Sequence, residues 1–488
     1  MADTPRRQII LCFDGTGNTF RADGTETNIL KICRMLDKSD EQFCYYQPGI
    51  GTEITPGSLA AMTLKKSSRL GRSKTLSQAL GKSFDQHVLG GYRFLMRHYR
   101  TGAEIYIFGF SRGAYTALFL ANMLDYAGLL GPDNEEMIPF IWEAFSKFNL
   151  RVYVESDQRK EAFDFLCHCR ETLCRPVVRA RFVGLFDTVN SIADFEIFNN
   201  MSSSAVRTRH AVSIDERRSK FEPVLLRPRN ADKPRGVRHH RHMKASPPQE
   251  SPEEASNSTD DPAAAPVADV TEEEDEDEDE DGLCDVQEVW FPGGHADIGG
   301  GYQREPTEKK YQLSHAPLVW MVQEASLCGL RFDPHKLQNE GCFLDPESPD
   351  AFYKNLDESI ITGQLHDRLE FGPGMSVPSV LAWRIMEYLP IRRAERQLNG
   401  KWKPIHWPLH HGRCREMGPD DVIHASAFRR MEANPDYRPV RLIAGGWKNV
   451  RKTPAEFGRG EFVIYEHEGD PVRQTYVRKQ PPVPGKTE

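Results

Sequence analysis

Short, almost wholly apolar runs recur along this chain, each closed by a Gly- or Asp-containing turn and each separated from the next by helical periodicity. Four such runs are Gln8–Phe13, Glu104–Phe108, Val178–Phe186 and Val286–Phe291. Among them lie Asn28–Leu36, Lys82–Arg97, Ala114–Tyr126 and Ala316–Cys328, which read as amphipathic helices. A strand that is apolar on successive residues needs cover on both faces, and amphipathic helices provide it. The pattern predicts an α/β protein with a mostly parallel sheet flanked by helices. In such sheets ligands meet the carboxyl ends of the strands, so the residues closing each run are where chemistry is expected.

The alternation is interrupted between about Arg227 and Asp281. A basic, His-containing stretch to Lys244 gives way to a Pro/Ser/Ala/Thr segment and then to ten consecutive acids, 272–281. Those acids outweigh the whole formal net charge of −8, leaving the remainder at +2, so net charge says little about the ligand. Such sequence cannot bury enough apolar surface to offset its ordering entropy. The organisation expected is a first catalytic part at 1–226, a disordered basic-then-acidic insertion at 227–283, a second part with a helical cap at 284–474, and a flexible tail at 475–488. The basic half could tether an anionic partner, but a solvated loop is the favoured reading, and nucleic acid is not an expected partner. No apolar run approaches the ~20 residues of a membrane span, and Met1–Arg7 leads straight into a strand-like run without a secretory signal. An intracellular, cytoplasmic location is expected, with the oligomeric state left open.

The ten cysteines are scattered, without the spacing of a disulfide scaffold. Cys12, Cys33 and Cys328 sit in apolar surroundings where a thiol fills space. Cys167, His168, Cys169 and Cys174 invite a zinc reading, but they fall in or beside an apparent helix, Glu161–Leu173, and lack a second ligand pair. No metal and no cofactor are expected.

The first run ends in Asp14-Gly15-Thr16-Gly17-Asn18-Thr19, whose glycines could turn amides toward an oxyanion or a phosphate, or could simply make a tight turn. It lacks the lysine of a P-loop, and Cys12 stands where a DxD phosphatase would place its first aspartate. The second run enters Gly109-Phe110-Ser111-Arg112-Gly113 directly and a helical stretch follows. A serine on such a strand-to-helix turn is pushed out over the sheet edge as a nucleophile, and the Arg112 N–H is placed to hold an oxyanion. The nucleophile needs a base, and the base an acid, in the chain order Ser, Asp or Glu, His. Asp187 closes the third run and His295 the fourth, within Pro292-Gly293-Gly294-His295-Ala296-Asp297. Asp297 with His424, in Asp420–Ser426, is a competing acid–base pair. His424 also suits a cap or core contact at the start of Ala425–Met431.

Together, FDGTGNT (13–19), GFSRGAY (109–115), FDTV (186–189) and PGGHADIGGGY (292–302) resemble the α/β-hydrolase domain of bacterial type VI secretion phospholipase effectors. Uncharacterised fungal and bacterial proteins carry the same domain. YQPGIGT (46–52), RHAVSIDERRSKFEPV (209–224) and VIHASAFRRM (422–431) extend the likeness. The resemblance implies an α/β-hydrolase fold and a Ser–Asp–His triad on Ser111, Asp187 and His295, favouring that pair over Asp297 and His424. Arg112 with Asp14 and Gly15 would then form the oxyanion hole. The expected activity is carboxylic-ester hydrolysis through an acyl-enzyme, with phospholipid or another acyl lipid as substrate, met at a membrane surface. Two other classes stay open: a non-catalytic scaffold on a hydrolase fold, and a phosphate-handling enzyme built on Asp14–Asn18. Val377–Pro408, with Trp383, Trp402 and Trp407, reads either as a lid or interfacial surface or as helices packed on the core.

Overall fold

The computed structural model describes residues 6–15, 26–49, 73–150, 156–176, 179–189, 204–226, 284–302, 311–372, 375–390, 393–396, 402–405, 407–418, 420–439, 442 and 462–479. The expected insertion at 227–283 lies outside them, as do Thr16, Gly17, Asn18 and Thr19 of the first turn.

Nine strands form one sheet. They are β1 (Gln8–Phe13), β2 (Gln42–Gln47), β3 (Glu104–Phe110), β4 (Phe182–Phe186), β5 (Arg207–Ser213), β6 (Asp285–Phe291), β7 (Val422–His424), β8 (Phe462–Glu466) and β9 (Thr475–Arg478). Their spatial order is β8-β9-β7-β6-β5-β4-β3-β1-β2. Every pairing from β7 through β2 is parallel, and β9 pairs antiparallel with both β7 and β8. The molecule is thus an α/β protein with a mostly parallel sheet. Successive strands lie on opposite sides of β1, which makes the gap between β1 and β3 a topological switch point.

The continuous apolar character of β1 is used on both faces. Ile9, Leu11 and Phe13 pack against Phe84, Val88 and Tyr92 of helix α2 (Ser73–His98) and against α3 (Arg112–Ala127), in one cluster with Leu166 of α4 (Ser156–Leu173). Ile10 and Cys12 face Ile29 and Ile32 of α1 (Asn28–Met35) and Trp320 and Met321 of α6 (His315–Leu327). Close strand packing also explains Gly184, where a Cβ would come within 2.7 Å of Met321 and Phe108.

Sequence and structure part at several boundaries. The third run contributes only Phe182–Phe186 to the sheet, and β2, β5, β7 and β8 have no counterpart among the four expected runs. The tail expected to be flexible from 475 begins instead with β9, whose Thr475 and Tyr476 are buried and pair with His424 and Ile423. Alternating β-branched and aromatic residues at 475–477 suit a sheet, and the neighbouring Pro, Lys and Arg residues obscured them. Among the described residues no helix is long and apolar enough to cross a membrane.

Candidate active site

The turn after β3 is fixed by what cannot fit there. Ser111 has φ 59° and ψ −124°, a backbone region that side-chain-bearing residues rarely adopt, and α3 begins at the next residue. A Cβ on Gly109 would lie 2.4 Å from Ala114 Cα, and one on Gly113 would lie 2.3 Å from the Phe13 carbonyl oxygen. Both flanking glycines are therefore required for α3 to fold back on its own strand and against the end of β1. The Ser111 N–H donates to the Phe186 carbonyl at 3.0 Å, tying the turn to the end of β4.

Three strand ends converge here. Ser111 Oγ lies 2.9 Å from His295 Nε2, and His295 Nδ1 lies 2.5 Å from Asp187 Oδ2. Asp187 follows β4 with φ 41° and donates its own N–H to the Ala211 carbonyl of β5. His295 follows β6 as the first residue of the short helix α5 (His295–Gly299). The glycines around it have separate tasks. Gly293 sits at φ 116°, and a Cβ on Gly299 would lie 2.1 Å from the Phe110 ring, which itself packs on the His295 imidazole.

Asp187 has no solvent exposure. Burial pushes its pKa up, but the charge of Arg415, followed by the hydrogen bond from His295, overrides this and holds it well below the usual carboxylate range. Arg415 makes a two-pronged contact, Nη1 to Oδ1 at 2.5 Å and Nη2 to Oδ2 at 2.9 Å, and the Ser213 N–H adds a third donor. Burial draws His295 below its ordinary pKa, outweighing the upward pull of Asp187. At neutral pH a carboxylate therefore faces a neutral imidazole. The ring proton belongs on Nδ1, toward Asp187, which leaves Nε2 to accept from the Ser111 hydroxyl.

Several residues of this site carried no separate signal in the sequence. Arg415 comes from a stretch without periodicity, between residues 410 and 418. Asp215, Glu216, Arg217 and Arg218 stood inside a quoted likeness without assigned roles. Asp215 accepts from the Gly293 N–H and the Tyr437 hydroxyl, and burial raises its pKa to about 6. Glu216 accepts the peptide N–H of His295 at 3.1 Å and is paired with Arg218. Burial pushes Glu216 upward, but Arg218 prevails and brings it to about 2. Arg218 in turn lies over the rings of Phe221 and Trp383, and Phe221 meets His295 edge-on. A run of four charged residues can look like a solvated turn; here it is the scaffold that holds the histidine-bearing loop.

The remaining expected residues fall elsewhere. Asp297 bonds to His366, with Nδ1 to Oδ1 at 2.6 Å, and not to His424. His424 is buried, caps helix α8 (Ala425–Ala433), stacks on Phe291 and bonds to Ser426 and the Val472 carbonyl. Burial takes its pKa down to about 3. The Asp297–His424 pair is therefore not assembled.

The amides expected of Asp14 and Gly15 also need correction. The Asp14 N–H donates to the Gln47 carbonyl at 2.9 Å, and the Gly15 N–H donates to the Asp14 side chain at 2.7 Å. The other carboxylate oxygen accepts from Thr27 and Tyr46, so Asp14 ties the start of the loop to α1 and β2. The Arg112 amide lies at the N-terminus of α3, where the first amides have no intrahelical acceptor.

All ten cysteines are free. Cys167, Cys169 and Cys174 are not gathered as ligands; Cys169 is in the core and Cys174 bonds to the Ala127 carbonyl. Among the described residues the side chains near enough to share a metal are Cys12, Cys33 and Cys44, with sulphurs within 4.8 Å of one another. They supply three ligands where a closed zinc site takes four.

The family profile described as T6SS, Phospholipase effector Tle1-like, catalytic domain matches residues 7–324. The uncharacterised protein YEL023C of Saccharomyces cerevisiae is 26% identical over 560 residues, covering 89% of this chain and 80% of that protein. A crystal structure of an uncharacterised protein from Pseudomonas aeruginosa aligns at 18% identity and a TM-score of 0.33, over 78% of this chain. The chain spans about half, 53%, of that protein's length. The Tle1 effector bound to the VgrG spike of the Type 6 secretion system aligns at 14% identity and a TM-score of 0.33, over 85% of this chain and 90% of that one.

Proposed function

We propose that this chain, which belongs to the family of type VI secretion Tle1-like phospholipase effector catalytic domains, is a serine hydrolase that cleaves carboxylic esters of phospholipids or other acyl lipids. The observation that carries the reading is the hydrogen-bonded line from Ser111 through His295 to Asp187, at 2.9 and 2.5 Å. Family membership supplies the lipid class. The α/β-hydrolase architecture is part of the proposal, with 1–226 as the first catalytic part, a second part from 284 that extends through β9 at Thr475–Arg478, and 227–283 inserted between the acid and the base.

Ser111 Oγ attacks the ester carbonyl as its proton passes to His295 Nε2. The resulting imidazolium is stabilised by Asp187, which Arg415 keeps ionised and correctly turned. The negative charge developing on the carbonyl oxygen is held by the Arg112 N–H, assisted by the positive end of the α3 dipole. Collapse expels the alcohol, which takes the proton from Nε2, and leaves an acyl group on Ser111. Water, deprotonated by His295, then releases the acid and restores the serine.

Phospholipid micelles and a water-soluble acyl ester, each offered to wild type and Ser111→Ala, test the reading. Release of fatty acid by wild type and a loss of about 10⁴-fold or more in the variant is expected. Equal turnover by the two proteins would exclude the serine mechanism, and no turnover of either ester by folded wild type would exclude the hydrolase assignment.

A further inference from the structure

Helix α7 (Val377–Glu387) has two faces of different character. Its inner face is locked to the active-site wall. Val380 and Trp383 are buried, Trp383 meets Phe221 at 5.7 Å between ring centroids, and Phe221 meets His295 at 4.7 Å. Glu387, also buried, accepts from the Ser219 N–H and hydroxyl and lies 2.9 Å from His410 Nδ1. The helix is thus held from below by both apolar and polar contacts.

Its outer face is apolar and uncovered. Val377, Leu381 and Ile385, with Tyr388 just past the helix end, recur every three or four residues and are 57%, 47%, 60% and 61% exposed. That spacing makes one continuous stripe. Phe371, under the guanidinium of Arg384, and Trp407 are exposed as well. Among the described residues, seven of the sixteen exposed large hydrophobic side chains fall between 371 and 407, so this is a patch and not scattered surface. The chain then continues into a hairpin, Arg393–Arg396 paired with Trp402–Ile405. Residues 391–403 carry Arg392, Arg393, Arg396, Lys401 and Lys403 against the single acid Glu395.

We propose that the outer stripe of α7, with Phe371 and Trp407, seats this protein on an anionic phospholipid membrane and turns the Ser111 site toward that surface. The proposal rests on the serine-hydrolase reading and names where its substrate is met. An apolar stripe on a helix suits insertion at the level of the headgroups, and Trp and Tyr are the aromatic residues enriched at that depth. The excess of cations in the sequence that follows the helix complements anionic headgroups, which a second protein surface need not offer. Because the same helix reaches His295 through Trp383 and Phe221, seating the stripe on a membrane brings the Ser111 site close to that surface.

The test uses the full chain carrying Ser111→Ala, so that vesicles stay intact, floated with phosphatidylcholine vesicles with and without phosphatidylserine. Leu381→Glu/Ile385→Glu in that background is expected to lower the vesicle-bound fraction at least about tenfold. Binding of the parent is expected to be stronger with phosphatidylserine and to weaken with added salt. With Ser111 present, the same pair is expected to hydrolyse a water-soluble ester within about twofold of wild type, since neither residue touches the reacting groups. Val377→Ser/Tyr388→Ser, at the two ends of the stripe, replaces the pair should the carboxylates prevent folding. Undiminished vesicle binding by the folded variants, or no binding by the parent, overturns the proposal. A parent that sediments as a dimer while the variant sediments as a monomer assigns the stripe to a second copy and also overturns it. If wild type cannot hydrolyse the soluble ester yet vesicle binding follows the stripe, the serine-hydrolase reading fails while the docking surface stands.

Discussion

Replacing Arg415 by Met tests the least expected contact of the site. The guanidinium is 2% exposed, and its two nitrogens meet both oxygens of an Asp187 that has no exposure. Removing it leaves a buried carboxylate with the Ser213 N–H and His295 as its remaining donors. Breaking a buried pair in this way costs about 3–5 kcal/mol, because one charge is left uncompensated. An unfolding entropy of about 2.1 cal/mol/K per residue gives roughly 0.8 kcal/mol/K for ~400 folded residues, so the melting temperature is expected to fall by about 4–6 °C. The loss has a defined pH dependence. In wild type the folded pKa of Asp187 is depressed, so its contribution is present above the unfolded value of about 3.9 and is lost as pH falls through the folded one. In Arg415→Met burial dominates and the folded pKa lies above about 3.9, so ionisation costs stability as pH rises through that region. The gap between the two melting curves should therefore widen from about pH 4 to pH 7. Asp187→Asn/Arg415→Met should cost less than the sum of the single changes by more than about 1 kcal/mol. Melts followed by near-UV circular dichroism across that pH range provide the measurement. A pH-independent gap, or simple additivity, would refute the clamp.

Three further outcomes follow from the same geometry. Because burial holds His295 below its ordinary pKa, the acid limb of kcat/KM for a soluble ester should have its midpoint below about 6.5, and Asp187→Asn should reduce kcat by about 10⁴; a midpoint at or above 7 would contradict the assignment. His424→Ala should keep turnover within a few-fold while losing about 1–3 kcal/mol in chemical denaturation, since the ring caps α8 and packs in the core; a hundredfold loss of activity in folded protein would make it catalytic after all. Gly113→Ala places a Cβ 2.3 Å from the Phe13 carbonyl oxygen and 2.5 Å from that of Asp14, so either folding yield or soluble-ester turnover should collapse; a stable, active variant would show that the turn after β3 is looser than described.

The sequence was most legible where one physical rule dominated. Continuous apolar runs foretold a sheet covered on both faces, and Gln8–Phe13 matches β1 end to end. Glycines at 109 and 113 exposed the turn because only they fit there. Ser111, Asp187 and His295 stood in view as residues closing strands. What stayed hidden depends on long-range pairing. Arg415 reaches Asp187 across 228 positions, and no local pattern marks a buried guanidinium. Asp215–Arg218 looks like any charged turn until Gly293 and His295 are brought above it. The amide of Asp14 looked available because its partner, Gln47, follows from how β1 lies beside β2, and that of Gly15 because its partner is the neighbouring Asp14 side chain. Strand β9 was obscured because its alternation sits within Lys-, Arg- and Pro-rich sequence.

Ser111 is proposed as the nucleophile, activated by His295. A fluorophosphonate that phosphonylates activated serines, followed by peptide mass mapping, tests it most directly. One adduct per chain is expected, on the peptide containing Ser111, absent in Ser111→Ala and slowed by about 10³-fold or more in His295→Ala. Folded wild type that remains unlabelled, or an adduct on any other residue, would contradict it.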